Sequence, residues 1–100
     1  MTHVRVWKFR PPDGRQDEFA AAYGAEGVWA VLFRRADGYY GTRLLRPEGE
    51  GGWWMTLDHW RSEADFDAFQ RQFGDEYRKL DRELEGLSGD EELVGTFEED

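Results

Sequence analysis

Residues 53 to 60, WWMTLDHW, set an aspartate and a histidine side by side within a run of tryptophans. Each is a candidate general base. The ordinary pKa of histidine, about 6.5, suits His59 to proton abstraction near neutral pH. Asp58 suits the same task only if burial raises its carboxyl well above the usual range. If the run is extended, alternation sends the two to opposite faces, Asp58 with Trp54, Thr56 and Trp60, and His59 with Trp53, Met55 and Leu57. The competing reading for Asp58 is structural, an ion pair with Arg5 or Arg43 on a neighbouring strand. His3 has no second ligand at metal spacing, so no metal site is expected.

Aromatic side chains supply the candidate ligand walls. Trp60, at the end of that run, together with Trp7, Trp29, Tyr40 and Tyr23, can line a pocket for a flat aromatic molecule, and the same residues serve equally well as core packing. The glycine-containing stretches GAEG and EGEGG lack the lysine and the strand-to-helix placement of a phosphate loop and read as turns. The chain has no cysteine, which excludes a disulfide scaffold, a thiolate nucleophile and cysteine-held metals. The acidic stretch from Asp75 to Glu92 is interleaved with Arg78, Lys79 and Arg82 at helical spacing, as on a solvated face.

These groups must be positioned by one small domain spanning residues 1–100, since 100 residues sustain one hydrophobic core and not two. A net charge of −9 repels polyanions, so nucleic acid is not an expected partner. No run approaches the roughly 20 apolar residues of a membrane span, and the first residues lack the apolar stretch of a secretory signal. A cytoplasmic protein is expected. An aromatic content of 16% supplies the area for a packed interior despite the high charge.

The periodicity predicts seven elements. Residues 3 to 10 alternate as a strand, with Val4, Val6 and Lys8 on one face and His3, Arg5, Trp7 and Phe9 on the other, and PPDG ends it. Phe19, Ala22 and Tyr23, then Trp29, Leu32 and Phe33, repeat at helical spacing on either side of a glycine break. Residues 39 to 46 and 53 to 60 form a hairpin in which Tyr39 and Leu45 oppose Tyr40 and Leu44. Ser62 caps a long helix whose stripe is Phe66, Phe69, Phe73, Tyr77, Leu80 and Leu84, with Gly74 as a point of bending. A last strand covers residues 93 to 98. The order, βααββαβ, predicts an α+β ferredoxin-like sandwich with helices on one face of an antiparallel sheet. The other face also carries large apolar groups, and the simplest cover for it is a second copy of the chain.

The stretches GYYGTRLLR and WWMTLDHWRSEADFDAF resemble the antibiotic biosynthesis monooxygenase family. The shared positions are Gly38, Tyr39 and Gly41 at the start of the second strand, Trp60 at the end of the third, and Ser62, Glu63 and Phe66 at the start of the following helix. The resemblance implies a homodimeric α/β barrel closed by two ferredoxin-like sheets, with a pocket between sheet and helices in each subunit. It also implies a cofactor-independent monooxygenase acting on a small hydrophobic aromatic, in which the bound substrate loses a proton and its carbanion passes an electron to oxygen. Haem-degrading relatives use a first-strand asparagine and a helix histidine. Here the first strand offers Trp7, and residues 62 to 84 contain no histidine, so no haem is expected, nor any other cofactor. The alternative, from a different class, is a non-catalytic ligand-binding or accessory protein of the same fold.

Overall fold

In the computed structural model, which describes all 100 residues, the elements are β1 (Thr2–Arg10), α1 (Gln16–Tyr23), α2 (Val28–Phe33), β2 (Tyr39–Leu45), β3 (Trp54–Trp60), α3 (Glu63–Glu83) and β4 (Asp90–Glu99). They make one antiparallel sheet in the order β2-β3-β1-β4. Each half of the chain leaves a strand, crosses through helix and returns two places away, which is the ferredoxin-like topology. The last strand is longer than its apolar residues suggest, because the ladder with β1 runs on to Arg10 opposite Asp90. No helix is long and apolar enough to cross a membrane.

Local chemistry sets the joints. Pro11 and Pro12 follow β1 at once and withhold the donors another ladder rung would need. At the start of α3 the Ser62 hydroxyl accepts from the Asp65 backbone N–H at 3.1 Å, and Arg61 grips the Asp65 carboxylate with two bonds of 2.8 Å. Hydrogen bonding from Arg61, and then from Ser62, holds that carboxyl down at about 2. Gly38 sits at φ 84°, and a Cβ there would lie 2.7 Å from the Asp65 side chain, so only glycine lets β2 begin this close to the cap. The bend expected at Gly74 falls one residue earlier, at Phe73, whose φ of −118° leaves the helical range.

The helix side of the sheet is built from opposed pairs. Phe9 faces Trp54, Trp7 faces Thr56 and Arg5 faces Asp58 across β1 and β3, while Leu44 faces Thr56 and Thr42 faces Asp58 across β2 and β3. Strict alternation along β2 breaks between Tyr39 and Gly41, where a bulge built on Gly41 at φ 143° inserts an extra residue. The expected faces are therefore corrected. Tyr39 pairs with Trp60 on the same side as Thr42 and Leu44, Leu45 goes to the open side with Met55, and Tyr40 is left on the surface, 61% exposed.

Trp60 is the centre of the core, with none of its surface exposed. It meets Phe33, Tyr39 and Phe66 edge to face at 5.2–5.6 Å, and Phe69 lies 5.5 Å away. One side chain thus ties β2, α2 and α3 to the end of β3. Removing it should cost about 3–5 kcal/mol, as for other buried large-to-alanine changes. Urea unfolding of Trp60→Ala measures this, and a loss below about 1 kcal/mol would mean that the strand end does not hold the two layers together.

Candidate functional site

Between the sheet and its helices lies a cavity of about 130 Å³. That is several times the roughly 10–15 Å³ a cavity needs to hold one water, so the space admits several waters or a small flat ring system. Its floor is Trp7 and Phe9 of β1, Thr42 of β2, and Thr56 and Asp58 of β3. Tyr23 of α1, Trp29 and Phe33 of α2 and Tyr77 of α3 form the walls, and the exposed Asp81 and Glu91 complete the lining. The walls brace one another, with ring centroids 5.0 Å apart for Trp29 and Tyr77, 5.1 Å for Phe9 and Tyr23, and 6.1 Å for Tyr23 and Trp29.

The β-ladders explain the floor. Asp58 lies opposite Arg5 on one side and Thr42 on the other. The expected ion pair with Arg5 or Arg43 does not form. The Arg5 guanidinium stacks over the Phe66 ring at 3.8 Å instead, and Arg43 sits opposite Leu57 on the open face. The carboxylate takes a hydrogen bond of 2.6 Å from the Thr42 hydroxyl, which is in turn 2.6 Å from the Tyr39 hydroxyl. With the single Thr42 proton directed at Asp58, the Tyr39 hydroxyl donates to Thr42, and the three groups form a short relay.

Desolvation dominates this carboxyl. Burial pushes Asp58 up to about 6 from its ordinary 3.8, against the opposing effects of the Thr42 bond and the Arg5 and His59 side chains. The same burial pushes the Tyr77 phenol up to about 12 and raises Tyr23 and Tyr39 as well. Near neutral pH the floor therefore holds an ionised carboxylate under neutral phenols, an arrangement able to accept a proton from a molecule held between the walls.

Of the residues singled out from sequence, Asp58, Trp7, Trp29 and Tyr23 come together around this cavity. Trp60 does not line it, because it is enclosed by α2, α3 and β2. His59 and Tyr40 line a separate shallow depression on the open face of the sheet, where His59 Nε2 is 3.6 Å from Glu99. Alternation carries His59 there, and the bulge carries Tyr40. Sequence reasoning missed Thr42 and Thr56, although two small polar residues on an otherwise aromatic inner face are a signal that space has been left. Nothing in the local pattern marks Asp81 or Glu91, which reach the cavity only through packing of α3 and β4.

Because the folded Asp58 carboxyl is raised, the folded protein retains a proton that the unfolded chain has released between about pH 4 and pH 6, and stability contributed by this group falls as pH rises through that window. Asp58→Asn removes the charge and keeps an acceptor for Thr42. The variant should match the wild type below about pH 4 and exceed it by about 2–3 kcal/mol near pH 8, from roughly two pK units at 1.36 kcal/mol each. Urea titrations across that range check the sign, and a variant less stable at high pH would show that the carboxylate is stabilising.

Comparison with known proteins places this architecture. The chain resembles the cofactor-independent oxygenase SnoaB from Streptomyces nogalater, solved as a point mutant (TM-score 0.74, 21% identity, 98% of this chain and 92% of that one). It also resembles MhuD of Mycobacterium tuberculosis, solved as a point mutant with two manganese protoporphyrin IX bound per active site (TM-score 0.73, 21% identity, 97% and 93%). A third likeness is to the ActVA-Orf6 monooxygenase of Streptomyces coelicolor in complex with nanaomycin D (TM-score 0.67, 20% identity, 98% and 87%). No curated protein matches the sequence. The profile described as Antibiotic biosynthesis monooxygenase matches residues 2–80, which include β1 to β3, most of α3 and every cavity residue except Asp81 and Glu91. The chain belongs to the antibiotic biosynthesis monooxygenase family.

Proposed function

We propose that the protein is a cofactor-independent monooxygenase of a flat, hydrophobic aromatic, with Asp58 as its general base. The observation that carries the reading is a carboxyl held at about 6 on the floor of an aromatic cavity with no ion-pair partner. A base of that strength is ionised at neutral pH and still able to hold the proton it takes. Trp7, Trp29 and Tyr23 fix the ring plane, and Thr42 fixes the carboxylate, so the acidic C–H of a bound anthrone-type substrate is presented to Asp58. Loss of that proton gives a carbanion stabilised by the ring system. Its electrons reduce dioxygen, a C–O bond forms, and the resulting hydroperoxide loses water to leave a carbonyl. One oxygen atom ends in the product and the other in water, and the substrate CH₂ is the sole reductant. The family membership and the likeness to oxygenases support this reading.

Oxygen uptake with anthrone- and quinol-type substrates tests it. The rate should rise with pH through about 6, and Asp58→Asn should lower it by about 10²–10⁴-fold without weakening binding in proportion. Saturable binding with no oxygen uptake by the wild type would instead support the accessory-protein reading, in which the same walls hold a ligand and no chemistry follows.

We further propose that the protein works as a homodimer closed through the open sheet face. Leu45 and Phe97, each 49% exposed, flank the partly buried Met55 and Leu57 there, an apolar surface that a lone subunit leaves in water. Sedimentation at micromolar concentration should give a dimer, and Leu57→Glu should yield a monomer of reduced stability. A wild-type monomer under those conditions removes the proposal.

A further inference from the structure

The cavity is one-sided in charge. Asp58, Asp81 and Glu91 line it, and no lysine, arginine or histidine does. None of the three takes part in an ion pair, although their neighbours on the same elements do: Glu92 of β4 with Lys8, and Asp75 and Glu83 of α3 with Arg78 and Lys79. Arg82 shares a separate surface depression with Asp81 and Glu91 but forms an ion pair with neither. Glu91 is held above the usual carboxylate range first by partial burial and then by the negative charge of Asp81. Nor do these carboxylates converge as metal ligands, since no group of three or more His, Cys, Asp or Glu is placed to hold an ion. The aromatic faces of Tyr23, Trp29 and Tyr77 flank the same space, and aromatic faces attract an organic cation. Trp29, only 8% exposed, has a buried Nε1–H that makes no full hydrogen bond and interacts only with the Tyr23 hydroxyl of the same wall.

We propose that the ligand of this cavity is a flat aromatic bearing a protonated amine, its rings between the aromatic walls and its ammonium group beside Asp81 and Glu91. The assignment rests on the cavity being the ligand site, as in the function proposed above, and specifies the substrate class for it. A ring-borne carboxylate or sulfonate would meet three like charges and is disfavoured.

Three isosteric probes, naphthylmethylammonium, naphthylmethanol and naphthoate, test this by calorimetric titration of the full chain at physiological salt. The ammonium should bind about tenfold or more tightly than the alcohol, and naphthoate should bind most weakly. The double variant Asp81→Asn/Glu91→Gln, at two exposed positions, should bring ammonium and alcohol within about twofold of each other while leaving the alcohol affinity unchanged. Equal binding of all three probes overturns the charge assignment and leaves the cavity a ligand site. A preference for ammonium that survives undiminished in the double variant also overturns it, because the attraction then comes from Asp58, from the aromatic walls or from the chain's overall charge of −9. If no probe binds, the cavity is not a ligand site, and the proposed function falls with the inference.

Discussion

The pairing of β1 with β3 is the constraint on which the molecule rests. These are the two central strands, and their register sets Trp7 against Thr56, Phe9 against Trp54 and Arg5 against Asp58. A slip of one residue would send every one of those side chains to the other face, exchanging the floor of the cavity for Lys8, Val6 and Val4. The large aromatic residues on the inner face then leave the helices little choice of seat. Phe19 stacks on Tyr23 at 4.4 Å and meets Trp54 edge to face at 5.3 Å, while α3 lays its phenylalanine stripe over Trp60. The open space remains over Thr42, Thr56 and Asp58, with Trp7 and Phe9 beside them on the floor.

That arrangement trades stability for reactivity. A carboxylate under aromatic walls, partnered by a hydroxyl and not by a guanidinium, costs the fold free energy at neutral pH, and Arg5 stands across the ladder with its charge turned onto Phe66. Local rules broken without a structural gain mark functional positions more often than accidents. The contrast with Asp65 is instructive, since an acid of the same type on the next element, itself partly buried, is doubly bonded by Arg61 and strongly favoured in its ionised form.

Much of the fold was legible because the apolar periods are clean. Val4 and Val6 alternate with Trp7 and Phe9, and the spacing from Phe66 to Leu84 admits one helix, so element order, the Ser62 cap and the two-faced third strand could be read directly. The bulge could not, since Gly41 reads equally as a strand residue, and one inserted residue reversed the faces assigned to Tyr39 and Tyr40. The site was half legible for a related reason. Trp7, Trp29, Tyr23 and Asp58 announce themselves by type, whereas Trp60 does so too and is pure core. What separates cavity wall from core filler is packing between elements far apart in sequence, as with Asp81 and Glu91, and no local pattern carries it.

The two outer strands have a consequence of their own. A sheet that is not closed within one chain offers unpaired N–H and C=O groups along each border, a template on which chains can add without limit. Here one border is β4, DEELVGTFEE, whose five acidic residues repel an identical strand laid beside them. The other is β2, where the irregular pairing around Gly41 interrupts the row of free groups. Fibre-like growth is discouraged at both borders by charge on one side and backbone shape on the other, and a second copy is left to approach the sheet through its broad face.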